Sequence, residues 1–307
     1  MKIIVTGSLG HIGRPLATEL VQKGHAVTVI SSSAERQKDI EALGATAATG
    51  SLEDADFLAA AFSGADAVFA MVPPNYGEPD LVAYYTRIAN NYAQAVRQSG
   101  IKHVVYLSSY GAHLDRGTGF ILGAHHAENI LNELPGIAIT HLRPGYFYYN
   151  LYNFAGMIKG QGILGSNYGG DDKMILVDPL DIAAAAAEEL GSTATGRKVR
   201  YIASDERTCN EVARILGSAI GKPGLQWMTF SNEQAKEGME KQGMPAHTAA
   251  NFIELGAALH SGALVEDYEQ HRPGQMGNIK LEDFATAFAA AYNNNSNPPD
   301  HESQPHT

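Results

Sequence analysis

Ile3-Ile4-Val5-Thr6-Gly7-Ser8-Leu9-Gly10-His11-Ile12-Gly13 is a short apolar run that passes through three evenly spaced glycines into a helical pattern. Each glycine has a physical task there. Gly7 can take the positive φ of a tight strand-to-helix turn, Gly10 has no Cβ to hold the backbone away from a ligand, and Gly13 permits close packing of the helix on its strand. The backbone N–H groups of Gly10, His11, Ile12 and Gly13, together with the positive end of the helix, then face an anion. A glycine triplet alone is weak evidence. Set between a strand and a helix, it reads as the diphosphate loop of a dinucleotide site, and so predicts a bound nicotinamide coenzyme.

The remaining chain supports that setting. Short apolar runs at Lys2 to Thr6, Ala26 to Ile30, Ala45 to Ala48, Ala67 to Met71, His103 to Leu107 and Ala138 to Leu142 alternate with amphipathic or alanine-rich stretches. This alternation predicts an α/β fold, a doubly wound parallel sheet of Rossmann-like type. The first crossover helix is expected from Ile12 to Lys23, ending at Gly24, and a longer one from Asp80 to Ser99, closed by Gly100. After Pro144 the pattern loosens into a glycine-rich segment, Gly156 to Gly170. We therefore expect a coenzyme domain over residues 1–150 and a smaller substrate lobe over 151–292, packed as one body, with helices at Asp181 to Leu190, Cys209 to Ile220, Asn232 to Gln242, Thr248 to Ser261 and Leu281 to Tyr292. Residues 293–307, rich in Asn, Pro, Ser and His, lack the apolar content to offset ordering and are expected to be disordered.

Composition narrows the function classes. The chain of 307 residues has 33 acidic against 22 basic side chains and a formal charge of −11. Such a surface repels a phosphate backbone, so nucleic acid is not an expected partner. Cys209, the single cysteine, cannot form an internal disulfide, and Met1-Lys2-Ile3-Ile4-Val5 begins a strand instead of a signal peptide. Both point to a cytoplasmic location. No apolar run reaches membrane-spanning length, since the alanine stretch Ala183 to Ala187 ends in Glu188-Glu189. No membrane association is expected.

Several segments in order, namely Thr6-Gly7-x-x-Gly10-x-x-Gly13, Val104-Val105-Tyr106-Leu107-Ser108-Ser109, Glu128-x-x-Leu131 and Leu142-Arg143-Pro144-Gly145-x-Phe147-x-x-Asn150, resemble the NmrA-like branch of the atypical short-chain dehydrogenase/reductase superfamily. The likeness covers about residues 1 to 190, with a looser echo at Ile279 to Phe284. That branch includes NAD(P)H-dependent quinone and dye reductases, and also regulators that bind the coenzyme and pass its redox state to a protein partner. The resemblance thus implies a coenzyme and two readings of function. In catalytic members of the wider superfamily a Tyr-x-x-x-Lys pair precedes the helix glutamate. Counting back from Glu128 places Ala124 at the Lys position and Phe120 at the Tyr position. Neither moves a proton. Ordinary alcohol dehydrogenation and nucleotide-sugar epimerisation are therefore disfavoured, whereas hydride transfer to a planar electrophile such as a quinone needs mainly positioning. The resemblance also implies a serine that completes a triad with that pair in catalytic members, and Ser108 or Ser109 stands in its place.

The second strand ends in Ser31-Ser32-Ser33, where an acid would grip the ribose hydroxyls of NAD. With Arg36 and Lys38 following, the segment suits a 2′-phosphate and a preference for NADP(H), although a serine here also fits a helix N-cap. Met71-Val72-Pro73-Pro74 follows the fourth strand at the edge where ligands collect, and is expected to line the ribose or nicotinamide, although it fits a plain loop stiffened by proline about equally well. Tyr146-Phe147-Tyr148-Tyr149-Asn150-Leu151-Tyr152-Asn153-Phe154 is the densest aromatic stretch. Most of its rings also fit a buried joint between the lobes, and Tyr146 and Asn150 are its candidate acceptor contacts. Tyr110 and His113, after the fifth strand, are candidate proton donors. His125 and His126 are adjacent on a helix, so they point about 100° apart and cannot share a metal ion; no metal site is expected. Asp178 and Asp181 suit a helix start, and Trp227 and Cys209 suit a core.

Overall fold

Seven parallel strands form one sheet, and the chain alternates strand with helix to build it. Residues 1–75, 77–193 and 195–294 are described in this computed structural model. In chain order the elements are β1 (Lys2–Val5), α1 (Gly13–Gln22), β2 (Ala26–Ser31), α2 (Gln37–Ala42), β3 (Thr46–Thr49), α3 (Ala55–Phe62), β4 (Ala67–Ala70), α4 (Leu81–Ser99), β5 (His103–Leu107), α5 (Ile121–Asn132) and β6 (Ala138–Pro144). There follow β7 (Tyr146–Phe147), α6 (Ala155–Gln161), β8 (Ile163–Ser166), β9 (Lys173–Val177), α7 (Pro179–Gly191), β10 (Arg197–Ile202), β11 (Asp205–Thr208), α8 (Cys209–Ala219), β12 (Gln226–Thr229), α9 (Asn232–Lys241), α10 (Ala246–His260), α11 (Glu266–Gln270) and α12 (Leu281–Asn294).

The strand order is β10-β6-β5-β4-β1-β2-β3, all parallel. The chain winds outward from β1 through β2 and β3, then returns to the other side of β1 with β4. The crevice at the carboxyl ends of β1 and β4 is thus the topological switch point where ligands of such sheets bind. Local chemistry explains the elements. Asp80 caps α4 by accepting from the Ala83 N–H at 2.9 Å, Gly100 ends it at φ +79°, and Leu81, Tyr84, Ile88, Tyr92 and Val96 form its buried stripe. Tyr84, Ile88, Tyr92 and Val96 of that stripe share one core cluster with Phe62, Val68, Val104 and Leu131.

Two compact units divide the chain. One holds Met1–Arg116, Phe120–Pro144 and Ile182–Ile202; the other holds Gly117–Gly119, Gly145–Asp181 and, of the described residues beyond, 203–294. The chain therefore crosses between units several times, where the sequence alone suggested a single boundary near residue 150. The physical reason is β10, which the apolar pattern did not reveal and which pairs with β6. As an edge strand it carries Arg197, Lys198 and Arg200 instead of a continuous apolar run. The second unit contains a three-stranded sheet, β11-β9-β7, and a two-stranded one, β12-β8. The helix α12 continues through Asn293 and Asn294, so the first two residues of the expected disordered tail are helical, and residues 295–307 lie outside the described residues.

Candidate functional site

Gly7 leaves β1 at φ +89°, and Ser8 follows at φ +58°, the only non-glycine residue with positive φ among the described residues. Such strain persists where surrounding bonds over-determine it. Here the Ser8 N–H donates to the Ile30 carbonyl at 3.0 Å, and its hydroxyl donates to Ser31 Oγ at 3.1 Å. The glycines then have separable tasks. A Cβ on Gly13 would lie 2.2 Å from the Ser8 carbonyl oxygen, whereas one on Gly10 would meet nothing nearer than 3.7 Å. Gly13 therefore makes room for the loop itself, a tighter constraint than the helix-on-strand packing expected from sequence.

The helix beyond the loop is open to an anion. α1 has no side-chain cap at Ile12 and no acid in its first turn. Its first-turn N–H groups and positive end thus carry no competing negative charge. Exposed Arg14 also lies in that turn, with no ion-pair partner among the described residues. Sequence reading passed over it, although a base directly behind the last glycine was the available signal. His11 is exposed and Ile12 buried. These features fit a dinucleotide diphosphate.

At the end of β2 the three serines differ. Ser31 is buried, and its hydroxyl is occupied: it accepts from the Ser33 N–H, donates to the Ser33 carbonyl, both at 3.2 Å, and takes the Ser8 bond. It shapes the turn. The Ser32 and Ser33 hydroxyls make no side-chain bond among the described residues, and Ser33 does not cap the short 3-10 helix Ala34–Arg36. Arg36 is half-buried, 3.9 Å from Asp39, and Lys38 is exposed. Across the switch point, Met71 packs on Gly7, where a Cβ would lie 2.5 Å from the Met71 sulfur; Val72 is buried and Pro73 half-buried.

Of the candidate proton donors, Ser108 is committed elsewhere. Its hydroxyl donates to Glu128 Oε1 at 2.5 Å. Glu128 also takes the Arg143 guanidinium, Nε to Oε1 at 2.9 Å and Nη2 to Oε2 at 2.6 Å, and Arg143 Nη1 donates to the Tyr201 hydroxyl at 3.1 Å. Burial disfavours the Arg143 charge, but the Glu128 carboxylate against it raises its pKa above the ordinary arginine value. Four elements, the β5 end, α5, β6 and β10, meet in this buried cluster. Ser109 donates to the Tyr110 carbonyl at 3.0 Å. Tyr110 is buried and His113 half-buried, both in the loop after β5. Phe120 precedes α5 and Ala124 is buried within it. His125 is engaged by the Ala112 carbonyl and the Asn129 amide, both at 2.9 Å, and His126 by Thr86 at 3.4 Å. Among the described residues no three His, Cys, Asp or Glu side chains gather as a metal ion would require.

The aromatic stretch belongs to the second unit. Tyr148 is fully buried, donating to Asp205 Oδ2 at 3.0 Å and stacking on Phe284; Tyr152 packs on Phe284 and Phe288, and Phe154 on Trp227. These rings build that unit's own core. Tyr146 and Asn150 stay half-buried. Asp178 caps α7 through the Leu180 N–H at 2.8 Å, but Asp181 does more. Its carboxylate accepts from Ser204 Oγ at 2.6 Å and from the N–H groups of Asn278 and Ile279 at 3.0 and 3.3 Å, pinning a loop nearly a hundred residues away. No helix is long and apolar enough among the described residues to cross a membrane.

Comparison with known proteins adds a lineage to this geometry. The NmrA-like family model matches residues 1–271. The chain is 28% identical over 295 residues to an NAD(P)H azoreductase of Xenophilus azovorans, covering 94% of this chain and 99% of that protein. In fold it is similar to a triphenylmethane reductase of Citrobacter sp., at 20% identity and a TM-score of 0.79, covering 94% of this chain and all of the other. An NADPH-dependent quinone oxidoreductase of Escherichia coli, solved with NADPH, gives 21% identity and a TM-score of 0.79 over 92% of this chain and 98% of its own.

Proposed function

The chain belongs to the NmrA-like family, and from that premise we propose that it is an NAD(P)H-dependent reductase of small, planar, electron-poor acceptors of the quinone or dye type. The observation that carries the reading is the first turn of α1, uncapped and free of acid behind a glycine loop at the switch point of the sheet. The dye- and quinone-reductase names of similar proteins support it. The coenzyme, when bound, supplies a hydride. The backbone of Gly7, Gly10, His11, Ile12 and Gly13 holds its diphosphate, with Arg14 adding charge. Ser32, Ser33 and Arg36 hold the adenosine 2′-phosphate, in a turn shaped by Ser31, and Met71, Val72 and Pro73 line the ribose and nicotinamide. Tyr146 and Asn150 contact the acceptor. With Phe120 and Ala124 unable to relay a proton, the reduced acceptor takes its proton from water, Tyr110 or His113.

Purified protein should oxidise NADPH with a quinone or cationic dye and fail with small aliphatic aldehydes. Tight coenzyme binding without turnover on a full acceptor panel would instead select the regulator that reports redox state to a protein partner. The coenzyme preference is read by calorimetry. Arg36→Ala should weaken NADPH by about tenfold and leave NADH unchanged, because a charge-assisted bond contributes ~1.5–3 kcal/mol. Arg14→Ala should weaken both alike. A wild-type preference for NADH would overturn the 2′-phosphate assignment. For the proton, Tyr110→Phe and His113→Ala are expected to lower kcat for quinones if either group donates; unchanged rates in both leave water as the donor.

A further inference from the structure

Met71 is held at both ends of its own backbone. Its N–H donates to Thr6 Oγ1 at 3.0 Å, and its carbonyl accepts from the Tyr92 hydroxyl at 2.7 Å. The Tyr92 and Thr6 oxygens are themselves 3.0 Å apart. Since the single Tyr92 proton sits on the Met71 carbonyl, the Thr6 hydroxyl closes the ring by donating back to Tyr92. Every donor and acceptor is then used. Thr6 and Tyr92 are 0% and 1% exposed, so no solvent competes for these bonds. Burial also holds the Tyr92 pKa far above its ordinary value, and the proton is retained at any working pH. The Tyr92 ring is fixed from the side by Phe62, stacked at 6.3 Å.

The ring of bonds joins the exits of β1 and β4 at the switch point. Thr6 is the last residue before Gly7, and Met71 is the residue whose side chain fills the space a Cβ on Gly7 would need. We propose that Tyr92, buried on α4, is a positioning residue for the coenzyme: through Met71 and Thr6 it sets the spacing between the glycine loop and the Met71-Val72-Pro73 edge. The inference rests on the coenzyme reading above. It assigns to a core tyrosine a share of the affinity that neither the glycine motif nor a contact map of the ligand would reveal.

Titration of NADPH into the wild type, Tyr92→Phe, Thr6→Val, Thr6→Ser and the Tyr92→Phe/Thr6→Val double variant, read by calorimetry, tests this. Tyr92→Phe keeps the ring and its stacking and loses only the hydroxyl. Each of Tyr92→Phe and Thr6→Val should raise Kd by about 3- to 10-fold, the range of one lost hydrogen bond. The double variant should be little worse than either, because both break the same ring. Thr6→Ser should restore wild-type affinity. A Tyr92→Phe protein with lowered Tm and wild-type Kd would overturn the proposal, leaving the tyrosine a stability element. Should Tyr92→Phe not fold, Thr6→Val against Thr6→Ser decides by the same criterion. No heat from NADPH or NADH with wild-type protein would overturn the coenzyme reading itself, a different outcome from binding that ignores the hydroxyl.

Discussion

Gly13→Ala is expected to abolish useful coenzyme binding, with an affinity loss on the order of 100-fold or more. The added Cβ would sit 2.2 Å from the Ser8 carbonyl oxygen, a contact against backbone that no rotamer relieves. The loop must open, and Ser8, already at φ +58° and tied to Ile30 and Ser31, cannot follow without losing those bonds. N–H groups that converge on one anion then diverge, each forfeiting a charge-assisted bond. The same clash costs ~1–3 kcal/mol of stability by overpacking, visible as a lower Tm. Gly10→Ala is the informative control. Its Cβ meets nothing within 3.7 Å in the protein, so the Tm should hold while NADPH affinity falls, because only a ligand occupies that space. Calorimetry and thermal melting on both variants read the two effects. Wild-type NADPH affinity in Gly13→Ala would show that the loop does not carry the diphosphate.

Glu128→Ala is expected to have the largest effect on folding stability, about 3–5 kcal/mol in denaturant unfolding. The Glu128 and Arg143 side chains are only 7% and 9% exposed, so removing the carboxylate leaves a guanidinium in a low-dielectric interior without the charge that Glu128 sets against it. It also strands the Ser108 hydroxyl. Replacing both charges, Glu128→Leu with Arg143→Met, should recover much of the loss, since a buried pair exchanged for apolar side chains of similar volume is often neutral. If Glu128→Ala unfolds at the wild-type denaturant midpoint, the cluster is not the brace between strand ends that its geometry indicates. The network also bears on the proposed chemistry, for it makes Ser108 part of a scaffold and leaves Tyr110, His113 and water as the proposed proton donors.

Much of this was present in the order of residues. The glycine spacing after an apolar run, the alternation of strand and helix patterns through β6, and the stop signals at Gly24 and Gly100 are local, each fixed by residues within a few positions of one another. Helix ends in the second unit were legible for the same reason, as with the Thr208 capping box that opens α8. What the tertiary structure decided is non-local. That Arg197–Ile202 returns to the sheet beside β6 rests on pairing across more than fifty residues, and its exposed basic side chains gave no apolar period to read. That Asp181 pins Asn278 and Ile279, that Ser108 serves Glu128, and that Thr6, Met71 and Tyr92 close one ring all depend on elements brought together only by packing. A single chain records what each segment prefers in water and in a core. Which polar groups find one another in the interior is settled only once the segments have excluded the water between them.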